Sequence, residues 1–207
     1  MDFSEIKNII FDLGNVIINI DFDLTFKSFE KLTSKNLEEV YEEFENQQIW
    51  ERYELGELTN EAFIQLLRDV FEISASDGKI ISAWNALLLD IPKKRIQRIK
   101  ELSKKYRLFI LSNTSDLHVL DVNRILNESN GIGDLKELVE VAYYSYEMEL
   151  RKPGVEIYNA VLDQSNLMAS ETVFLDDNYD NIVGANKVGL HTIHVTDLDM
   201  CDYLEKA

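Results

Sequence analysis

The run Ile9-Ile10-Phe11 leads without interruption into Asp12, and Gly14 follows two residues later. Together with Ile6, this apolar stretch shows no alternation with polar residues. It suits a central strand covered on both faces, which means a parallel sheet flanked by helices rather than a sheet with one wet face. Gly14 marks the point where the backbone must turn. Open α/β sheets bind ligands at the carboxyl ends of their strands, so Asp12 falls at the ligand edge. Alone, the segment reads first as a strand that runs into a solvated turn aspartate.

Other strands end the same way. Val173, Phe174 and Leu175 read as a second buried strand, and Asp176 and Asp177 follow directly. Two adjacent carboxylates converging on a third repel one another unless a cation lies between them or one takes up a proton. With oxygen donors and no cysteine or histidine in either motif, a hard ion such as Mg2+ is the expected cofactor. A third apolar run, Leu108 to Leu111, ends in Ser112-Asn113-Thr114 and offers a hydroxyl with small polar donors. Arg151-Lys152-Pro153-Gly154 precedes a helical pattern and supplies an ammonium. Carboxylate, hydroxyl, ammonium and carboxylate pair at strand ends compose a site for a phosphoryl group.

Residues 20–90 differ from their surroundings. Phe22 to Leu32, Leu37 to Trp50, Asn60 to Phe71 and Ile80 to Leu89 carry amphipathic helical spacing with little strand pattern. Thr59 is placed to cap the third of these, with Ala62, Phe63, Leu66, Leu67 and Val70 on its buried face. From Pro92 onward strand and helix alternate. Helices are expected near Lys93 to Lys105, Leu117 to Asn127, Val155 to Leu162 and Tyr179 to Val188, the last closed by Gly189. Strands are expected at Leu108 to Leu111, Val139 to Tyr144, Thr172 to Leu175 and His191 to Val195. The predicted fold is therefore α/β: a doubly wound parallel sheet from residues 1–19 and 91–207, with a helical cap domain at 20–90 inserted into it. Right-handed crossovers bring all strand ends to one edge.

With 207 residues, 45% of them hydrophobic, the chain can bury one substantial core plus a small insertion. The single cysteine, Cys201, excludes an intramolecular disulfide and sits where an incidental thiol is expected. The first residues lack the basic and apolar regions of a signal peptide, and no apolar run reaches membrane-spanning length. A cytoplasmic protein with no membrane partner is expected, as a monomer or weak homodimer. A net charge of −17 disfavours nucleic acid, whose binding depends on lysine and arginine at the phosphates. A small phosphate ester meets the same field, so the site needs local positive charge.

The motifs Phe11-Asp12-Leu13-Gly14-Asn15-Val16, Ser112-Asn113-Thr114-Ser115-Asp116-Leu117-His118, Arg151-Lys152-Pro153 and Phe174-Leu175-Asp176-Asp177-Asn178-Tyr179-Asp180-Asn181 stand in this order along nearly the whole chain. In this the chain resembles the haloacid dehalogenase-like hydrolases, and within them the capped phosphatases of the α-D-glucose-1-phosphate phosphatase branch. The resemblance implies a magnesium-dependent phosphatase acting on a small phosphate monoester such as a sugar phosphate. Asp12 would be the nucleophile and form an aspartyl-phosphate. Asp12, the Gly14 carbonyl and Asp177 would hold Mg2+, with Asp176 close behind. Ser112 and the Asn113 amide would bind the transferring oxygens while Lys152 offsets their charge. Asp180 and Asn181 would orient the metal loop.

The chain departs from the common family pattern at Gly14. Most phosphatases of the superfamily carry an aspartate there, which protonates the leaving alcohol and then activates water. Asp21 is a candidate substitute; its competing role is to cap a helix beginning near Leu24, together with Asp23. His118 is expected on a first helical turn, either facing the substrate or solvated. Trp50 and Tyr53 are candidates to line the substrate pocket, against a purely packing role. Tyr143, Tyr144 and Tyr146 are expected to pack near a strand, and His191 and His194 lack partners for a zinc site. Alternative functions are a haloacid dehalogenase, which needs no magnesium, and a catalytically weak regulatory or binding protein of the same fold.

Overall fold

Strand β1, Asn8–Phe11, divides its side chains between two cores. Ile9 and Phe11 enter one apolar cluster and Ile10 the other, as the two-residue period of a strand requires. The same division holds for β2, Arg107–Ser112, and β4, Thr172–Asp176. With β3, Val141–Tyr144, and β5, His191–His194, they form one wholly parallel sheet in the order β3-β2-β1-β4-β5. The sheet's centre is therefore the strand whose continuous apolar run called for cover on both sides. The computed structural model describes residues 3–196, 199–205 and 207.

Helices α6, Lys93–Leu102, and α7, Asp116–Asn130, with the short α11, Met200–Tyr203, cover the face that carries Ile9 and Phe11. Helices α9, Val155–Gln164, and α10, Tyr179–Lys187, cover the opposite face with Ile157, Val161 and Ile182. Two short helices were not expected from the sequence: α11, and α8 at Ser145–Met148, which follows β3 directly.

Five helices lie between β1 and α6: α1 Phe22–Glu30, α2 Leu37–Asn46, α3 Ile49–Glu54, α4 Asn60–Val70 and α5 Asp77–Trp84. They bury a separate cluster that includes Phe29, Ile49, Phe63, Leu67 and Trp84, and Leu117 of α7 joins it. Thr59 caps α4 as expected, its hydroxyl accepting from the Ala62 amide at 3.2 Å. The single helix expected over Leu37 to Trp50 is instead two, because Gln48 takes a left-handed conformation with φ 50° and α3 starts afresh at Ile49. The helix expected over Ile80 to Leu89 starts earlier and ends at Trp84, with a 3₁₀ turn at Asn85–Leu87. The two connections to this block run side by side: Ile20 bridges Leu88, and Asn19 exchanges backbone hydrogen bonds with Asp90 and Leu89, both at 3.0 Å.

Register sets the site. Phe11 is level with Ile110 on one side and Leu175 on the other. Asp12 therefore emerges level with Asp176 and one residue short of Ser112, although 164 positions separate the two aspartates along the chain.

Candidate active site

Lys152 stands at the centre of the sheet's carboxyl edge. Its Nζ donates to Asp12 Oδ1 at 2.7 Å and to Asp176 Oδ2 at 2.6 Å, and the residue is 1% exposed. Asn113 fixes its backbone from β2: the Asn113 side chain donates to the Lys152 carbonyl and accepts from the Lys152 amide, both at 2.9 Å. The Asn113 side chain thus positions the ammonium. From the opposite side α10 comes close at Gly184, where a β-carbon would collide with the Pro153 carbonyl oxygen. Only glycine lets that helix approach the turn carrying Lys152.

The three aspartates play different parts. Asp176 is fully buried and saturated with donors: besides Lys152 it accepts from the Asn178 amide at 2.8 Å and from Asn181 Nδ2, which lies 3.0 Å from both its oxygens. Asn181 therefore orients an aspartate, as expected, while Asp180 is exposed and gives only its backbone amide to Asn178. Asp12 is 7% exposed and gives one oxygen to Lys152. Asp177 is half-buried, and its Oδ2 accepts from Asn15 Nδ2 at 2.9 Å. His194 of β5 lies 2.9 Å from the Asp177 carbonyl through Nε2, and so serves this loop.

Asn15 was not singled out in the sequence. It occupies the left-handed region with φ 54°, one of the conformations that asparagine tolerates better than other side chains. Its Oδ1 accepts from the Ile20 amide at 3.1 Å while its Nδ2 reaches Asp177, so one amide ties both ends of the turn after β1 to the metal-side loop.

Each of Asp12, Asp176 and Asp177 offers an oxygen within 4.8 Å of the others. Burial raises the Asp12 carboxyl to about 7; the Lys152 ammonium opposes this, and the neighbouring Asp176 and Asp177 charges reinforce it. Burial also raises Asp177, against the Asn15 hydrogen bond. Burial alone would pull Lys152 down, yet the Asp12 and Asp176 carboxylates hold it above the usual lysine range. Three carboxylates facing one ammonium leave an excess of negative charge in a dry place. An oxygen-only donor set of this kind suits a hard divalent cation.

Above this base lies a cavity of about 230 Å³, with Asp12, Gly14, Ser112, Lys152 and Asp177 among its walls. Ser112 is 3% exposed, and its hydroxyl makes only a long 3.4 Å contact to the Asn113 carbonyl, so it remains available to a ligand. From the helical block Trp50 and Glu54 of α3 reach the same cavity, with Arg151 beside them. Nothing in the sequence marks Glu54, and Arg151 stands there only as the neighbour of Lys152 in its motif.

His118 is buried rather than solvated. It stacks on Trp84 at a centroid distance of 4.7 Å, and burial depresses it to about 4. It borders a smaller cavity of about 60 Å³ next to Gly14, Trp50 and Ser112. Tyr53 does not line either cavity; it stacks on Phe63 at 3.7 Å and donates to Asn60 Oδ1 at 2.6 Å, so its role is packing. Asp21 is exposed and caps α1, accepting from the Asp23 amide at 3.0 Å, and it too is absent from both cavities. Tyr143 bonds Ser165 at 2.6 Å and Tyr144 stacks on Tyr146, which accounts for these three rings by packing.

Residues 6–189 match the family described as haloacid dehalogenase-like hydrolase. A D-ribitol-5-phosphate phosphatase of Bacteroides thetaiotaomicron is 28% identical over 187 residues, 90% of each chain. The crystal structure of a HAD family enzyme from the same organism, in complex with magnesium and inorganic phosphate, is 32% identical; it superposes with a TM-score of 0.88 over 96% of this chain and 98% of that one. An L-2-haloacid dehalogenase from Xanthobacter autotrophicus superposes with a TM-score of 0.60 over 94% of this chain and 79% of its own at 18% identity, a likeness of fold alone. On the match over residues 6–189, the chain belongs to the haloacid dehalogenase-like hydrolases.

Proposed function

We propose that the chain is a magnesium-dependent phosphatase that hydrolyses a small phosphate monoester through an aspartyl-phosphate. The observation that carries this reading is the cluster at the sheet edge: Asp12, Asp176 and Asp177 oxygens within 4.8 Å, with Lys152 bridging the first two. The magnesium and phosphate held by the relative of known structure, and the ribitol phosphate named for the curated relative, support it and favour a sugar or polyol phosphate. An Asp177 side chain oriented by Asn15 has no task in a dehalogenase without metal. The surplus of carboxylates likewise argues against a purely regulatory protein.

In this reading Asp12, the Gly14 carbonyl and Asp177 hold Mg2+, with Asp176 behind them anchoring Lys152. When bound, the ion neutralises phosphoryl oxygens and lowers the repulsion between substrate and nucleophile. The oxygen of Asp12 that Lys152 leaves free attacks phosphorus in line; the bond from phosphorus to the alcohol oxygen breaks, and the departing oxygen takes its proton from water. Water then attacks the acyl phosphate, returning the Asp12 carboxylate and inorganic phosphate. Ser112 and the Asn113 amide hold the non-bridging oxygens, and Lys152 stabilises the charge that gathers on them. Helices α1 to α5 act as a cap that shields the acyl phosphate from bulk water. Among the described residues no helix is long and apolar enough to cross a membrane. A cytoplasmic monomer or weak homodimer with no nucleic-acid partner completes the reading.

Phosphate release from a panel of sugar phosphates, polyol phosphates and aryl phosphates, with and without Mg2+, tests it. Hydrolysis should require the ion, and acid-quenched enzyme should carry a covalent phosphoryl group by intact mass. Asp12→Asn should lower kcat by on the order of 10⁴ or more and abolish that adduct. Substantial activity in this variant would rule out Asp12 as nucleophile.

A further inference from the structure

The helical block brings a further charged group to the same cavity, and the phosphoryl transfer gives it no task. Glu54 is 6% exposed at the C-terminal end of α3. Its Oε1 accepts from Trp50 Nε1 at 2.8 Å and its Oε2 from Arg151 Nη2 at 2.9 Å. Arg151 also donates from Nη1 to Glu51 at 2.7 Å, and it directly precedes Lys152. Glu54 therefore borders the same space as Asp12, Ser112 and Lys152 but belongs to the helical block.

We propose that Glu54, with Arg151 beside it, reads hydroxyl groups on the leaving alcohol, so that the preferred substrate is the phosphate of a short polyhydroxylated carbon chain. This rests on the phosphatase reading above. A carboxylate has about four acceptor positions, and two in Glu54 are taken by Trp50 and Arg151, which leaves acceptors for substrate O–H groups. The guanidinium has donors beyond the two it gives to Glu51 and Glu54. Trp50 and Phe22, with ring centroids 5.6 Å apart, border the same cavity and supply apolar surface for the C–H faces of such a chain. At about 230 Å³ the space is smaller than the roughly 300–1,000 Å³ of sites for drug-sized ligands, so it selects a small ester. The acceptor positions that Trp50 and Arg151 leave open on Glu54 go unfilled against an alkyl chain, and in so dry a place this gives discrimination against analogues lacking hydroxyls.

A proton-donating Glu54 would act on the leaving oxygen instead, and the two roles make different predictions. The test compares kcat/KM for a tetritol phosphate, n-butyl phosphate and phenyl phosphate at saturating Mg2+. The unmodified enzyme should prefer the tetritol phosphate over butyl phosphate by about tenfold or more. Glu54→Gln should cut that preference about tenfold, chiefly through KM, and Arg151→Lys should cut it in the same direction, which covers failure of the first variant to fold. A loss that is greater for butyl than for phenyl phosphate would make Glu54 a proton donor and overturn the proposal. An equal loss on all three esters would reduce it to a strut holding α3 and also overturn it. If the unmodified enzyme hydrolyses all three esters without preference for the tetritol, the inference fails and the phosphatase reading stands; if it hydrolyses none, both fall.

Discussion

Burial sets aside one of the two settings expected for His118, the solvated one. A histidine early in a helix after a site motif suggests a solvated or substrate-facing ring, yet this one lies flat on Trp84 and borders the cavity beside Gly14. Burial lowers it from 6.5 to about 4, so between those values the unfolded chain binds a proton that the folded chain refuses. Stability must then fall as pH drops from about 6.5 towards 4 and stop responding to this group below that, a loss of roughly 3 kcal/mol by linkage. His118→Phe keeps a ring against Trp84 and removes the titration. Urea unfolding at several pH values should give the variant a shallower acid-side slope than the parent; identical slopes would mean that His118 titrates normally in the folded protein. The residues legible in the sequence were those that follow apolar runs at strand ends: Asp12, Ser112 and Asp176 are placed by their own strands. Asn15, Glu54 and Arg151 were not legible, because each acquires its role from a partner far along the chain, Asp177 for the first and one another for the other two. Nothing in the neighbourhood of an ordinary Asn, Glu or Arg announces such a meeting. Tyr53 erred in the opposite sense, since an aromatic one helical turn from Trp50 can point into packing as easily as into a pocket.

At the level of elements, the turn after β1 explains the departure at Gly14. A β-carbon on Gly14 would lie 2.7 Å from Ile20 Cδ1, so the residue that leads into α1 has filled the space a side chain at position 14 would use. The overlap is with the far end of a flexible side chain, so a side chain at position 14 asks only that Ile20 Cδ1 turn aside. Without a positioned acid, kcat should fall steeply as the pKa of the leaving alcohol rises, because proton donation is commonly worth about 10² to 10⁴. Gly14→Asp alone must turn Ile20 Cδ1 aside and should flatten that dependence in part. Gly14→Asp with Ile20→Ala makes room, and should flatten it across a series of aryl and alkyl phosphates. A flat dependence in the unmodified enzyme would show that another group already supplies the proton; exposed Asp21, committed to capping α1, is poorly placed to be that group. The order of strands and helices was readable because short continuous apolar runs give way sharply to apolar residues at helical spacing. The break between α2 and α3 was not, since it rests on a left-handed Gln48 with no glycine or proline to mark it.

On the scale of the whole molecule, local and global charge oppose each other. The chain carries −17, while the cavity shows Lys152 and Arg151 to an incoming phosphate ester. Lys152 is already shared between Asp12 and Asp176, and Arg151 between Glu51 and Glu54, so neither projects a free positive charge far from the surface. At long range a dianionic ester should therefore feel mainly the acidic exterior, and attraction should begin only inside the cavity. Salt separates these distances. The Debye length shrinks from about 30 Å at 0.01 M to about 10 Å at 0.1 M, which screens the exterior while leaving buried contacts largely intact. With Mg2+ held saturating, kcat/KM for a charged ester should rise about twofold or more as NaCl increases from 10 to 100 mM, and kcat should change little. The rise belongs to encounter, so it should vanish when added viscogen shows that substrate capture does not limit kcat/KM. If kcat/KM instead falls with salt from the start, attraction by the loaded site reaches past the acidic shell, and the exterior charge has no bearing on how substrate arrives.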